Sequence, residues 1–171
     1  MTRASPGVKP PLLFLCHRIP YPPNKGDKIR AFHLLHHLSQ HFDIYLGSFV
    51  DDPQDWPWSP EVEKFCKAVC LRPLSPRLAT LRSVRGLLSG EALSVPYYAD
   101  AGLQKWVAQT VVAHEIRHAI VYSSAMAQFL PDGGQGFRRK VIDFVDVDSD
   151  KWLQYAQQKS WPLSWIYRRE A

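Results

Sequence analysis

The chain has 171 residues, enough for one ordinary domain with its own core and too few for two large ones. With 46% hydrophobic, 12% aromatic and 22% charged residues it reads as globular, which excludes wholesale disorder. The formal charge of +5 is scattered and comes with no RNP-like aromatic signature, zinc finger or basic heptad region. Nucleic acid is therefore not an expected partner, while attraction to an anionic membrane surface stays open.

Residues 1–11 form a Pro- and Gly-containing leader, and the apolar run that follows, Leu12 to Cys16, is too short for a signal h-region or a membrane span. That run reads as a buried strand. A turn, His17-Arg18-Ile19-Pro20-Tyr21-Pro22-Pro23-Asn24-Lys25-Gly26-Asp27, leads to a helix over about Asp27 to Gln40 with Ala31, Leu34, Leu35 and Leu38 on one core-facing stripe. Strand, turn and helix in that order are the first half of a βαβ unit. Turn amides and a helix N-terminus present positive partial charge beyond the strand, and Arg18, Lys25, Lys28 and Arg30 add to it, so an anionic or hydroxyl-rich ligand is expected there. His33, His37 and His41 follow at four-residue spacing; with no acidic or Cys partner nearby they read as a solvated helix face rather than a metal site.

Asp43 to Val50 has the β-branched and aromatic content of a second strand. Trp56-Pro57-Trp58 sits in a loop, either as a sugar platform or, as preferred, pinning that loop to the domain. Ser59-Pro60-Glu61 has the capping hydroxyl, early Pro and acid of a helix start, with the helix running to about Lys67, and Ala68 to Leu71 reads as a short third strand. Cys16, Cys66 and Cys70 are an odd set without a Cys-x-x-Cys pair; they read as small core residues, and a reducing cytoplasm fits them. Arg77 to Leu88 predicts a helix whose apolar arc of Leu78, Leu81, Val84 and Leu88 is interrupted by Arg77 and Arg85. A partly buried helix with snorkelling arginines is preferred over a membrane-surface one.

Asp100 to Arg117 has the clearest helical period, with Leu103, Trp106, Val107, Thr110, Val111 and His114 inward, and predicts a crossover helix packed on a sheet. Ala119 to Tyr122 is the next buried strand, Ser123-Ser124 ends it, and Ala125 to Leu130 is helix-like. Lys140 to Val147 reads as the last strong strand, with Asp146, Asp148, Ser149 and Asp150 at its carboxyl end, then a helix over about Lys151 to Gln158 and another opened by Trp161-Pro162. Alternating strands and helices predict an α/β domain with a mostly parallel sheet covered on both faces. Its carboxyl edge would gather the Lys25 to Arg30 turn, Ser123-Ser124 and Asp146 to Asp150.

Two metal or phosphate readings of the aspartate run fail. An EF-hand needs Gly and Glu where Lys151 and Gln157 stand, and a haloacid-dehalogenase-like phosphatase needs later motifs for which too few residues remain. An Asp-x-Asp metal site is the third, against which Asp148 or Ser149 as a helix cap is preferred. The first turn is neither a Walker loop nor Gly-x-Gly-x-x-Gly, and no Gly-x-Ser-x-Gly elbow is present.

Pro22-Pro23-Asn24-Lys25-Gly26-Asp27-Lys28-Ile29-Arg30, followed by Leu34, Leu38 and Phe42, resembles the Pro-x-x-x-Gly turn and helix of the N-terminal domain of family 4 glycosyltransferases. The runs Leu15 to Arg30, Tyr122 to Gln128 and Val141 to Trp152, with the tail Trp165 to Ala171, are similar to the sugar transferases associated with exosortase (PEP-CTERM) exopolysaccharide systems. The resemblance implies a Rossmann-like three-layer domain over 12–160, one half of a GT-B fold, with 161–171 leading to a C-terminal donor-binding domain that carries the family's Glu-x7-Glu signature. It implies a hexosyltransferase that moves sugar from a nucleotide-sugar to a glycan or lipid-linked acceptor in exopolysaccharide biosynthesis. Retention is expected and no obligatory metal or cofactor. The enzyme would be cytoplasmic or peripheral at the inner face of the cytoplasmic membrane, and this half alone is expected to be inactive.

On that resemblance Asp146 is the candidate to contact the acceptor hydroxyl, at a strand end where a carboxylate can accept its proton. Gly26 would allow close approach to donor phosphates, and Lys25, Lys28 and Arg30 would bind them or an acceptor phosphate. Asp27, Ser123, Ser124, Asp148 and Lys151 complete the expected substrate-binding set; Ser123 and Ser124 stand where many relatives have a histidine. The alternatives are a freestanding flavodoxin-like binding or regulatory module and a membrane-surface adaptor.

Overall fold

The computed structural model describes residues 9–89, 92–131, 136–145, 156–158, 160, 161, 164 and 168. Five strands, β1 (Pro11–Cys16), β2 (Asp43–Val50), β3 (Ala68–Pro73), β4 (His118–Tyr122) and β5 (Arg139–Asp143), form one sheet in the order β3-β2-β1-β4-β5. Every neighbouring pair is parallel, with Cys16 of β1 opposite Ser48 of β2 and Tyr122 of β4. The helices are α1 (Gly26–Ser39), α2 (Ser59–Glu63), α3 (Pro76–Ser89), α4 (Ser94–Tyr98) and α5 (Ala101–Ala113), with 3-10 turns at Pro53–Trp58 and Ser124–Phe129.

Successive side chains of a strand point to opposite faces, and β1, at the centre, buries both sets. Leu13 and Leu15 pack with Leu103, Val107 and Val111 of α5 and with Met126 and Phe129. Leu12, Phe14 and Cys16 pack with Ala31, Leu35 and Leu38 of α1 and Val62 of α2. The result is the expected Rossmann-like three-layer domain. The α5 helix starts where its sequence indicates, with the Asp100 carboxylate accepting from the Leu103 amide at 2.7 Å.

Several elements depart from the sequence expectations. Trp56-Pro57-Trp58 belongs to a 3-10 turn rather than a loop. That turn is capped by Asp52, whose carboxylate accepts from the Gln54 amide, so Ser59 lies inside continuous helical structure and caps nothing. The α2 helix ends at Glu63. Among the described side chains of α3, Ala79 and Ser83 are inward, at 0% and 8% exposure, while Leu78 and Leu81 point out at 62% and 69%; Val84 and Leu88, the rest of the expected arc, lie outside the described side chains. Close packing of α3 beside α4 admits small side chains and turns the leucines to solvent. The helix-like stretch expected at Ala125 to Leu130 is the 3-10 turn Ser124–Phe129, with Leu130 as its C-cap. The strand β5 stops at Asp143, whose side chain accepts from the Val145 amide, and Val145 takes a φ of 68°, outside the extended range of a strand.

Candidate functional site

In a sheet of this order the strand sequence reverses between β1 and β4, and the crevice beyond their carboxyl ends is the natural ligand position. His17 and Arg18 follow β1 directly, Ser123 follows β4, Asp143 ends β5, and Asp27 and Arg30 come from the first turns of α1. Expectation and structure agree that the α1 turn and Ser123-Ser124 share this edge.

Arg18 is the knot of the cluster. Its Nε donates to Asp51 at 3.0 and 2.9 Å, its Nη2 lies 2.7 Å from the same carboxylate, and its Nη1 donates to Asp27 Oδ2 at 2.9 Å. Because Asp51 follows β2, one guanidinium ties two strand ends to the start of α1. Burial works against the charge on Asp27, but the Arg18 guanidinium and the Lys28 amide outweigh it and hold the carboxyl below its ordinary 3.8. Asp27 is thus an ionised acceptor at neutral pH.

His17 stands beside it, with Nε2 3.4 Å from Asp27 Oδ2. Its ring is stacked on Tyr122, with centroids 6.0 Å apart and planes 5° apart, and meets Tyr98 edge-on at 6.2 Å. Burial lowers its pKa below 6.5 against the pull of Asp27, so the imidazole is neutral at pH 7, and its buried Nδ1 has no hydrogen-bond partner among the described residues. The Tyr122 hydroxyl, pushed up to about 12 by burial, donates to the Asp27 carbonyl at 3.2 Å.

Across the crevice, Arg30 Nη2 donates to Asp143 Oδ2 at 2.7 Å while its guanidinium lies 5.8 Å from the Tyr122 ring centre. Arg30 therefore bridges α1 and β5, and its exposed side chain remains within reach of a ligand. Ser123 has a φ of 87°, unusual for a residue with a side chain, and its amide donates to the Asp143 carbonyl at 2.8 Å. Ser124 opens the following 3-10 turn.

The remaining expected residues divide sharply. Lys25 is exposed at the N-cap of α1 and offers no side-chain cap. A Cβ built on Gly26 meets nothing within 4 Å, so the fold itself does not require glycine there. Lys28 must be removed from the ligand-facing set: it is 1% exposed, and its Nζ lies 2.5 Å from Asp55 Oδ2 in the first 3-10 turn. Helical period turns position 28 toward that turn while positions 27 and 30 face the crevice. Asp146, Asp148 and Lys151 lie outside the described residues, as does the aspartate run as a whole.

His17, Asp51, Tyr98 and Asp143 were not singled out as site residues in the sequence. His17 and Asp51 each stand one position past a buried strand, and that position was the available signal. Cys16 is buried, its thiol pushed up to about 12, and it hydrogen-bonds the Arg18 carbonyl, so it is a structural neighbour rather than a nucleophile. The His37 ring near the end of α1 and the His41 ring just past it lie 5.2 Å apart, and among the described residues no group of three or more His, Cys, Asp or Glu is placed to hold a metal. No helix among them is long and apolar enough to cross a membrane.

Chemically, the crevice offers the ionised Asp27 beside the arginine-paired carboxylates of Asp51 and Asp143, a neutral imidazole, strand-end hydroxyls, and cationic groups from the β1 end and α1. Such a set hydrogen-bonds hydroxyls and anionic oxygens. No family model, curated protein or solved structure matches the chain.

Proposed function

We propose that this domain is the acceptor-side half of a two-domain GT-B sugar transferase. It would move a hexosyl group from a nucleotide-sugar, held mainly by a second Rossmann-like domain, to a glycan or lipid-linked acceptor in exopolysaccharide biosynthesis. The observation that supports it best is the gathering of Arg18, Asp27, Arg30 and Ser123 at the β1/β4 reversal, in a crevice rich in hydroxyl- and oxyanion-binding groups. The resemblance of the Pro22 to Arg30 turn to family 4 transferases supplies the reaction.

In this scheme Asp27 accepts from an acceptor hydroxyl, Arg18 keeps Asp27 ionised, and Lys25 and Arg30 meet phosphate oxygens of donor or acceptor. Asp146 is the candidate for taking the proton of the attacking hydroxyl. The site works in the cytoplasm or at the inner face of its membrane, where nucleotide-sugars and lipid-linked acceptors are both present.

The test is a transfer assay of the product of the complete native reading frame against a panel of nucleotide-sugars. Consumption of a donor, loss of turnover in Asp146→Ala, and a raised KM with unchanged melting temperature in Lys25→Ala are expected. Lys25 is the diagnostic position because its ammonium has no ion-pair partner among the described residues, so its removal leaves the fold intact. No donor consumption by the full product would overturn the transferase assignment and leave a binding module.

A further inference from the structure

We propose that the outward face of α3 is a docking surface for an anionic lipid bilayer. Leu78 and Leu81, three residues apart on that helix, are 62% and 69% exposed, and with Pro73, Ser75 and Arg82 they line an open groove of about 640 Å³. Helical spacing puts these two leucines on one side, the opposite of the side that buries Ala79 and Ser83. A pair of exposed leucines next to each other on one helix face is an apolar surface without a partner among the described residues.

Charge identifies the occupant. From Lys64 to Gly90 the chain has six basic residues and no acidic one, and α3 itself holds Arg77, Arg82 and Arg85. Arg72, Lys64 and Lys67 are engaged with Asp100, Glu61 and Asp43. Arg77, by contrast, is exposed and without an ion-pair partner among the described residues, next to Leu78. Arg82 is anchored, donating to the Ala99 carbonyl at 2.8 Å, and so holds α3 against the segment after α4 with its leucines outward. Apolar side chains flanked by arginines, on a helix without carboxylates, fit the boundary between acyl chains and anionic headgroups. An acidic protein groove would meet the arginines but leave less reason for two adjacent leucines in open solvent.

The position of this face agrees with the site. The α3 helix follows the carboxyl end of β3, the edge strand, which is separated from β1 by β2 alone, about 10 Å at roughly 4.8 Å per strand. Face and crevice therefore share one edge of the sheet. Resting on the transferase assignment, this further implies that the acceptor is lipid-linked and is presented from the bilayer on which α3 sits.

The experiment is co-sedimentation of the full chain with phosphatidylcholine vesicles, with and without phosphatidylglycerol, and sedimentation velocity of the chain alone. Binding to the anionic vesicles, weakened by salt, is expected. Leu78→Ser/Leu81→Ser should weaken it by about tenfold or more, and Arg77→Glu, a change of two charges at the surface, by about thirtyfold. Val112→Ser, at an equally exposed apolar position on α5, serves as the control and should leave binding unchanged. Because all these side chains are exposed, circular dichroism and melting temperature should match the parent. Absence of binding to anionic vesicles, equal binding to neutral ones, insensitivity to the leucine and arginine changes, or self-association abolished by Leu78→Ser/Leu81→Ser in a chain that ignores vesicles would each overturn the proposal. Vesicle binding needs no sugar donor, so it stands or falls separately from transfer.

Discussion

Lys28 and Asp55 show how a charge inside this domain differs from one on its surface. Both are almost fully enclosed, so their attraction acts in a poorly screening medium, and each is the other's compensation for lost water. Replacing one partner strands the other. Lys28→Met is expected to lower unfolding free energy by about 3–5 kcal/mol, and Lys28→Met/Asp55→Leu should recover much of that loss, as urea titration of the parent, single and double variants would reveal. Gly26 is the opposite case, a residue whose surroundings impose nothing. It opens α1 in open space, so Gly26→Ala should leave stability unchanged or raise it by up to about 1 kcal/mol. A fall in donor or acceptor affinity without a fall in melting temperature would then locate a ligand against that backbone; unchanged affinity would remove Gly26 from the site.

At the scale of elements, the approach of α5 to the sheet rests on a gap in β2. A Cβ at Gly47 would come within 2.9 Å of Leu15 Cδ2 and 3.0 Å of Leu103 Cδ1, so the glycine lets the helix lie close over the strand. Gly47→Val, which would favour an isolated strand, should instead destabilise the domain by about 1–3 kcal/mol through overpacking, read as a lower denaturation midpoint at unchanged slope. The strands were legible because burial on both faces demands the unbroken apolar runs that β1 and β4 display, and α5 because its period and Asp100 cap agree. The orientation of α3 was not legible. Its apolar arc predicts leucines inward, yet the space beside α4 takes Ala79 and Ser83, and tertiary packing outweighs the pattern. The end of β5 was equally hidden, since the Asp143 turn and the left-handed Val145 interrupt an apolar run that reads as strand to Val147.

For the molecule as a whole, the sequence locates the carboxyl edge of the sheet but not the network that organises it. Strand order cannot be read from one chain's pattern, and without it nothing brings Asp51, after β2, to Arg18, or Asp143, after β5, to Arg30. That network makes the domain's acid response a property of its folded edge. The His17 pKa lies below 6.5 in the folded domain, so as pH falls past 6.5 the unfolded chain takes up a proton that the native one resists. Stability is then lost progressively down to the folded value and levels off below it. Asp27, held below 3.8, adds its own loss only in more acidic solution, once the unfolded carboxyl protonates ahead of the native one. Melting temperature should therefore begin to decline in the parent as pH falls below about 7, toward the lowered His17 value. In His17→Phe, which keeps an aromatic ring against Tyr122 but cannot titrate, the His17 share of that decline should vanish. If the two proteins keep the same slope through this interval, His17 is not the group that couples protons to the carboxyl edge, and its neutral state plays no part in holding Asp27 and Arg18 in place.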